Sequence, residues 1–336
     1  MSCRRSVSAV TDELPEWAVI LRQCGVEERH HDAGEVLLRQ GELGSEFLVI
    51  VHGEAEVVDM RGGTPLARIG PLGIVGELSL LTRRPRRHSV VASTHVHAWH
   101  GDLDAFTVAL DHDPVRAHFG EQAARRLGNA VAPIRFEARD GTEVTLRPLA
   151  TRDREAYIEA LDEAPTDLLM SRFFTPVKPP PTVVEHLLDI DFVRHIAWVV
   201  TEGRDPERGL GIGRFIADPH EPKAVELAVT VHPDARGKGL GSTLTGVVAT
   251  SAAAMGYETM IALVLSDNRP MRRILDKCGA RWTPFEPGVV RTAIDNEHIA
   301  MTLVPDLVPA IGAATHDLSV AATLALAPDD ETDPTP

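Results

Sequence analysis

Cysteine is scarce: three residues in 336, Cys3, Cys24 and Cys278, odd in number and widely scattered. Such a set supplies no disulfide framework and no metal-ligand spacing, so a reducing, cytoplasmic setting is expected. Long apolar runs are missing as well. No stretch approaches the roughly 20 residues that span a bilayer, and residues 1–10 lack the apolar centre of a signal peptide, so neither membrane insertion nor secretion is expected. Positive charge is the third deficit: 34 Lys and Arg stand against 49 Asp and Glu, a formal net charge of -15. Repulsion of that sign opposes general binding to nucleic acid or anionic membrane, and leaves small anionic ligands where basic residues cluster.

What is present is the composition of a folded chain, 43% hydrophobic and 25% charged, which argues against extensive disorder. The length exceeds one ordinary core, so two domains of roughly 130 to 170 residues are expected. Residues 13–24 carry Leu14, Trp17, Ala18 and Leu21 at helical spacing. Between Gly34 and His100 the texture changes to short apolar runs, at 35–38, 47–51 and 55–58, separated by glycine-bearing turns at Gly41, Gly44, Gly53 and Gly70. Closely spaced strands of this kind predict a β-barrel or sandwich. Residues 102–130 read as helical, with Leu103, Phe106, Leu110, Phe119, Ala123 and Leu127 in one stripe. From Val144 strands (144–147, 197–200, 211–216, 224–231, 259–265) interleave with helices (152–161, 240–255, 270–278), an α/β texture. Residues 176–181 read as a proline-rich loop. The tail 310–336 turns acidic and proline-rich, and its last ten or so residues are expected to be disordered.

Two segments carry the chemistry. Gly76, Glu77, Leu78 and Ser79 follow a turn and can open a helix whose free N–H groups attract a phosphate. Arg86 can meet the same phosphate with a forked guanidinium, and the Glu77 carboxylate can accept from a ribose hydroxyl. The plainer reading is a turn entering a helix, with Arg83, Arg84, Arg86 and Arg87 as a solvated basic face. With the glycine-punctuated strands upstream, however, residues 10–130 resemble the cyclic-nucleotide-binding domain family, whose phosphate-binding cassette Gly76, Glu77, Leu78, Ser79, Pro85, Arg86 and Ser89 match. That resemblance implies a jelly-roll-like β-barrel with flanking helices and a cyclic nucleotide, cAMP by prevalence, as allosteric ligand. Arg87 and His88 stand where that family has small residues. Arg87 either adds a cation or a stacking surface at the nucleotide, or blocks its entry.

The second segment, Arg236, Gly237, Lys238, Gly239, Leu240 and Gly241, follows the strand 224–231 and opens the helix at Ser242, so successive N–H groups can surround a pyrophosphate. It lacks the Gly-Lys-Ser/Thr ending of a P-loop, and no acidic residue follows at dinucleotide-binding distance. With the next strand at 261–264 and Asn268-Arg269-Pro270-Met271 beyond it, residues 142–304 resemble the GNAT superfamily of acyltransferases. Val144 to Leu149, Asp153 and Arg172-Phe173-Phe174 make the module similar to its bacterial protein-lysine acetyltransferases. A cyclic-nucleotide domain ahead of it resembles the cAMP-responsive mycobacterial type. Carried over, the resemblance implies that Val229, Thr230 and Val231 bind the pantetheine arm of acetyl-CoA through their backbone and that residues 236 to 242 hold its pyrophosphate. Asn268 would contact the pantetheine or orient the thiol end, and Lys277 or Arg273 would approach the phosphates. Leu275 stands near where the family often has an acidic tyrosine.

For the base, alternation in the strand 224–231 puts Val225, Leu227, Val229 and Val231 on one face and Glu226 on the other. The plainer reading of Glu226 is a surface carboxylate paired with a Lys or Arg. An acceptor lysine is almost wholly protonated near neutral pH, its reference pKa being about 10.4, so a desolvated Glu226 in that position suits a general base. Phe173 and Phe174 read as core or pocket wall, and Cys278 as a small packed residue with no thiol relay. His30, His31, His232 and His298 lack partners at metal spacing, and no metal is expected.

The expected molecule is thus an α+β multidomain protein. A cyclic-nucleotide-binding domain (10–130) and a linker (131–142) precede a GNAT domain (143–304) and a C-terminal segment (305–336). Its expected activity is cAMP-gated transfer of acetyl from acetyl-CoA to protein lysines, acyl-CoA synthetases among the acceptors the resemblance implies. The linker or residues 304–314 would be the moving part that covers the acceptor groove. Small-amine acetylation and a non-catalytic sensor of cyclic nucleotide and acyl-CoA are the alternatives. A transcription factor is disfavoured by the acidic charge and the lack of a helix-turn-helix after the first domain.

Overall fold

The computed structural model describes residues 14–60, 62, 65–203 and 208–326. The chain divides into two compact units, residues 1–123 with 324–336, and residues 124–323.

In the first unit eight strands, three of them at the expected runs, form two four-stranded antiparallel sheets. One joins β1 (Glu27–His31), β8 (Val96–Asp102), β3 (Glu46–His52) and β6 (Ile74–Val75), and the other joins β2 (Val36–Leu38), β7 (Ser89–Ala92), β4 (Ala55–Val58) and β5 (Pro65–Ile69). Strand β3 is apolar on both faces because both are covered. Leu48 and Ile50 pack with Leu38, Val90 and Ala98 of the inter-sheet core. Phe47 and Val49 pack on Trp17 and Leu21 of α1 (Glu16–Leu21), Phe106 of α3 (Leu103–Leu110) and Phe119 of α4 (Asp113–Asn129). The helical stripe expected over 102–130 is therefore two helices, the first capped by Asp102, which accepts from the Ala105 N–H at 2.8 Å. Strand β1 has no counterpart among the expected strands. It is a polar edge strand, with four of five residues exposed, so it has no apolar alternation to detect.

The second unit is an eight-stranded sheet in the order β15-β16-β14-β13-β12-β11-β10-β9. Its strands are β9 (Ile134–Glu137), β10 (Glu143–Pro148), β11 (His195–Glu202), β12 (Arg208–Ala217), β13 (Ala224–Val231), β14 (Thr259–Leu265), β15 (Thr283–Glu286) and β16 (Val289–Asp295). All neighbours are antiparallel except β13 and β14. Helices α5 (Arg154–Asp162), α6 (Thr166–Phe173) and α7 (Pro181–Leu188) come between β10 and β11; α8 (Leu240–Ala254) follows β13, and α9 (Arg269–Asp276) follows β14. Two more, α10 (Asn296–Leu303) and α11 (Val308–Leu326), close the described chain.

Helix α8 is buried on nearly all sides from Leu244 to Ala252, which explains its small, apolar sequence. On one side it lies against the sheet, where Trp198 Nε1 donates to Ser251 Oγ at 2.9 Å. On another it meets the chain after α10, where a Cβ at Gly246 would stand 2.6 Å from Val304.

Two expectations are corrected here. The linker set at 131–142 contains β9, which pairs with β10 through Ile134 to Glu137. Val304 and Ile311 are buried, Val304 against α8. The segment assigned to a tail from 310 instead continues as α11, which buries Ile311, Leu318, Ala322 and Ala325 at helical spacing. The acidic end lies outside the described residues. Among the described residues no helix is long and apolar enough to cross a membrane.

Replacing Gly246 by Val forces a side chain into Val304. The expected cost is about 1–3 kcal/mol, read as a lower urea midpoint for the second unit.

Candidate functional site

In the first unit, Gly76 takes φ +94° and caps α2 (Glu77–Thr82). A Cβ there would stand 2.8 Å from both Arg86 Nη1 and the Glu46 carbonyl oxygen, so glycine is required by conformation and by space. Arg86 is buried, and its Nη2 donates to the Glu46 carbonyl at 2.8 Å and its Nη1 to the Gly76 carbonyl at 3.4 Å. Burial lowers the proton affinity of its guanidinium, while Glu46, Glu42 and Glu77 raise it. Glu77 is fully buried, Ser79 is buried against Gly44, and Leu78 is half-buried. The Ser89 hydroxyl accepts from the Gln40 N–H at 2.9 Å. The cassette expected at 76–89 is therefore one cluster, with Arg87 exposed beside it. The carbonyl of Glu46 and the turn at Gly44 are parts that only the fold reveals.

In the second unit, β13 and β14 pair only through Ala224–Glu226 and Thr259–Ile261. Beyond that point the strands part, and a cavity of about 70 Å³ opens, lined by Glu226, Leu227, Ala228, Val229, Asn268 and Met271 among others. Glu226, Val229 and Asn268, predicted separately, thus meet at one place. The Asn268 carboxamide oxygen caps α9, accepting from the Met271 N–H at 3.2 Å. Glu226 is open to solvent, yet the protein around it pushes its carboxyl above the usual value. Burial is the largest cause; Arg172 opposes it and Asp218 adds to it. Exposure and desolvation point in opposite directions here. A carboxylate open on one side and walled on the others satisfies both, and the upward direction stands.

The loop 236–241 sits at the N-terminus of α8, with Gly237 and Gly239 at φ +83° and +86°. Its Lys238 pairs with Asp140 at 3.0 Å, and the Arg139 N–H donates to the Lys238 carbonyl at 3.0 Å. The Arg139 guanidinium lies within 3.7 Å of where a Cβ at Gly239 would stand, adding a cation that local sequence reading missed. Asp140 is held down at about 2 by hydrogen bonds from Thr142 and Lys238. Arg236 pairs with Asp167 at 3.3 Å. Ile274 of α9 supports Gly241, whereas Lys277 and Arg273 are exposed on the outside of the same stretch. Leu275 and Cys278 are buried, and burial pushes the Cys278 thiol up. Among the described residues no group of three His, Cys, Asp or Glu is arranged to hold a metal ion.

Register places Arg147, Val199, Ile212 and Thr230 in one row across β10 to β13. A second cavity, about 220 Å³ and largely apolar, lies between that row and helices α5 and α6. Arg147 is buried there in a forked pair with Asp153, at 2.7 and 2.8 Å. Burial pushes Asp153 up, but Arg147 and the Ala150 N–H outweigh it and hold the carboxyl below its usual value. Arg214, fully buried, has only neutral partners among the described residues, the Leu187 carbonyl, His195 Nε2 at 3.1 Å and the Tyr157 hydroxyl at 3.4 Å. Burial, then the charge of Arg214, drives His195 down to about 3, so it stays neutral and accepts.

A nucleotide cassette on a β-sandwich, and a split sheet with a glycine loop at a helix N-terminus, define a class: acetyltransferases that carry a cyclic-nucleotide-binding domain. The cyclic nucleotide-binding domain model matches residues 28–113, and the acetyltransferase (GNAT) domain model matches residues 143–281. Acetyltransferase Pat of Mycolicibacterium smegmatis is 34% identical over 288 residues, covering 84% of this chain and 86% of that protein. The chain belongs to the family of that protein and is a GNAT acetyltransferase. A solved structure of a cAMP-binding acyltransferase from Mycobacterium smegmatis is 30% identical, covering 90% of each chain with a TM-score of 0.46. The GNAT domain of S. lividans PAT is 24% identical and covers 48% of this chain and 96% of its own, with a TM-score of 0.45.

Asp153→Asn leaves Arg147 buried without its carboxylate. We expect a loss of about 3 kcal/mol at neutral pH, measured by denaturation. Because the folded carboxyl titrates below the unfolded value of about 3.9, the gap between wild type and variant should close as pH falls below about 4.

Proposed function

We propose that the chain transfers acetyl from acetyl-CoA to lysine side chains of other proteins, with Glu226 as general base, and that cAMP on the first unit controls the reaction. The observation that carries this is Glu226 itself, a carboxylate of raised proton affinity opening into the cavity where β13 and β14 separate. Val229, Thr230 and Val231 pair with β12 on one side and have no β14 partner on the other; that open edge suits the amide-bearing pantetheine arm, and residues 236 to 242, with Arg139, suit its pyrophosphate.

Glu226 takes a proton from the acceptor nitrogen, directly or through water, as that nitrogen bonds to the thioester carbonyl carbon. The carbon–sulfur bond then breaks and the electron pair leaves on sulfur, which later takes up a proton. A backbone N–H near Val229 faces the oxygen that gains charge. Buried Cys278 has no access to the reacting atoms, which favours direct transfer in a ternary complex. On the first unit, Arg86 is placed to exchange its carbonyl partners for a cyclic phosphate, a charge-assisted and stronger acceptor. Control by cAMP then requires that it bind two states of the chain unequally.

Glu226→Gln is expected to lower acetyl transfer by about 10²–10⁴-fold while acetyl-CoA binding, followed by calorimetry, is retained. Transfer is read as acetyl-CoA-dependent acetyl-lysine on lysate proteins. Arg86→Ala should abolish both cAMP binding and any response to it. Equal responses of wild type and Arg86→Ala to cAMP would remove the sensor assignment.

A further inference from the structure

Among the described residues, two titratable side chains line the cavity at the head of the β13–β14 split, Glu226 and Arg172. Arg172 stands on the last turn of α6 and lines the larger cavity too, so it forms the wall between them. Its guanidinium lies 4.9 Å from the centroid of the Phe173 ring, a platform that orients it. Among the described residues no Asp or Glu is within ion-pair distance of it. The other cations nearby are committed: Arg214 to Leu187, His195 and Tyr157, and Arg147 to Asp153. Asp218, past the end of β12, accepts from the His220 and Glu221 N–H groups at 2.8 and 2.9 Å. Tyr157 and His232 complete the titratable groups of the larger cavity.

We propose that Arg172 is a positioning residue for the transfer step, whose guanidinium keeps the Glu226 carboxylate charged in the cleft until the acceptor amine arrives. The inference rests on the reading of Glu226 as base. A carboxylate walled by protein and left without a cation takes up a proton too early and has no capacity left for the amine. One locked in a close salt bridge is too weak a base. A cation that shares the cavity but stays beyond ion-pair reach sets the middle course. The titration tendencies agree: burial raises Glu226 and Arg172 opposes it, while burial lowers Arg172 and Tyr157, then Glu226, support it.

The test is a direct titration of Glu226 in the full chain, labelled with carboxyl-¹³C glutamate and assigned by the signal lost in Glu226→Gln. Arg172→Gln should move the Glu226 midpoint up by about one pH unit, and Arg172→Lys should restore it. An unmoved midpoint in Arg172→Gln, or an equal rise in Arg172→Lys, overturns the proposal. If Arg172→Gln no longer binds acetyl-CoA, Phe173→Leu, which removes the platform, takes its place. Its midpoint should also rise, and an unchanged one overturns the proposal. Failure of the base reading shows separately, as acetyl transfer that survives Glu226→Gln whatever the titration gives.

Discussion

The close approach of α8 to the sheet sets the geometry of the transferase unit. Gly211 and Gly213 on β12 have no side chains, and a Cβ at either would stand 3.0–3.1 Å from Leu244 or Val248 of the helix. Only a bare stretch of strand lets the helix lie this near. With α8 seated there, its N-terminal loop emerges beside the end of β13, where that strand has lost its parallel partner. Gly241 in turn rests on Ile274, so α9 and its cap Asn268 are held to the same frame. The loop 236–241, the open edge of β13 and Glu226 are brought together by packing alone.

Four arginines show how differently one chain can manage a desolvated cation. Arg147 has a forked carboxylate, the strongest of the solutions. Arg86 leans on two backbone carbonyls, a weaker arrangement that a phosphate can displace. Arg214 relies on neutral acceptors and is lowered to about 10, burial being the largest cause. Arg172 has a ring face and a shared cavity. The less completely a buried cation is satisfied within the fold, the more it has to offer something from outside.

Much of this was legible in the chain. The strands at 224–231 and 259–265 and the helix from Leu240 were read almost to the residue, because alternation and glycine signals are local. Strands β1 and β9 were not, being short and at sheet edges, where no buried face imposes a pattern. The turn that secures Lys238 lies about 100 residues upstream of it, and no spacing rule reaches that far. Helix α11 had its apolar positions in view, but alanine is a weak marker and the acidic end beyond it drew the reading toward a tail. Val304, at the head of the segment 304–314, fills the dent that Gly246 leaves, a contact that no local pattern announces. Glu226 was found from alternation, whereas its relation to Arg172 depends on α6 crossing the sheet, which only the fold supplies.

The parting of β13 from β14 leaves an edge strand in the middle of a sheet. Edges are usually liabilities, since any extended chain can add to them. Here the gap is flanked by strands on both sides, so it admits something as thin as a single extended amide chain and excludes a second sheet. Whatever docks there is read by main-chain N–H and C=O groups, which every residue but proline supplies. Under the proposed reading, recognition at Val229 to Val231 is insulated from ordinary side-chain substitution, and the unit could drift in sequence along that stretch without forgetting its donor.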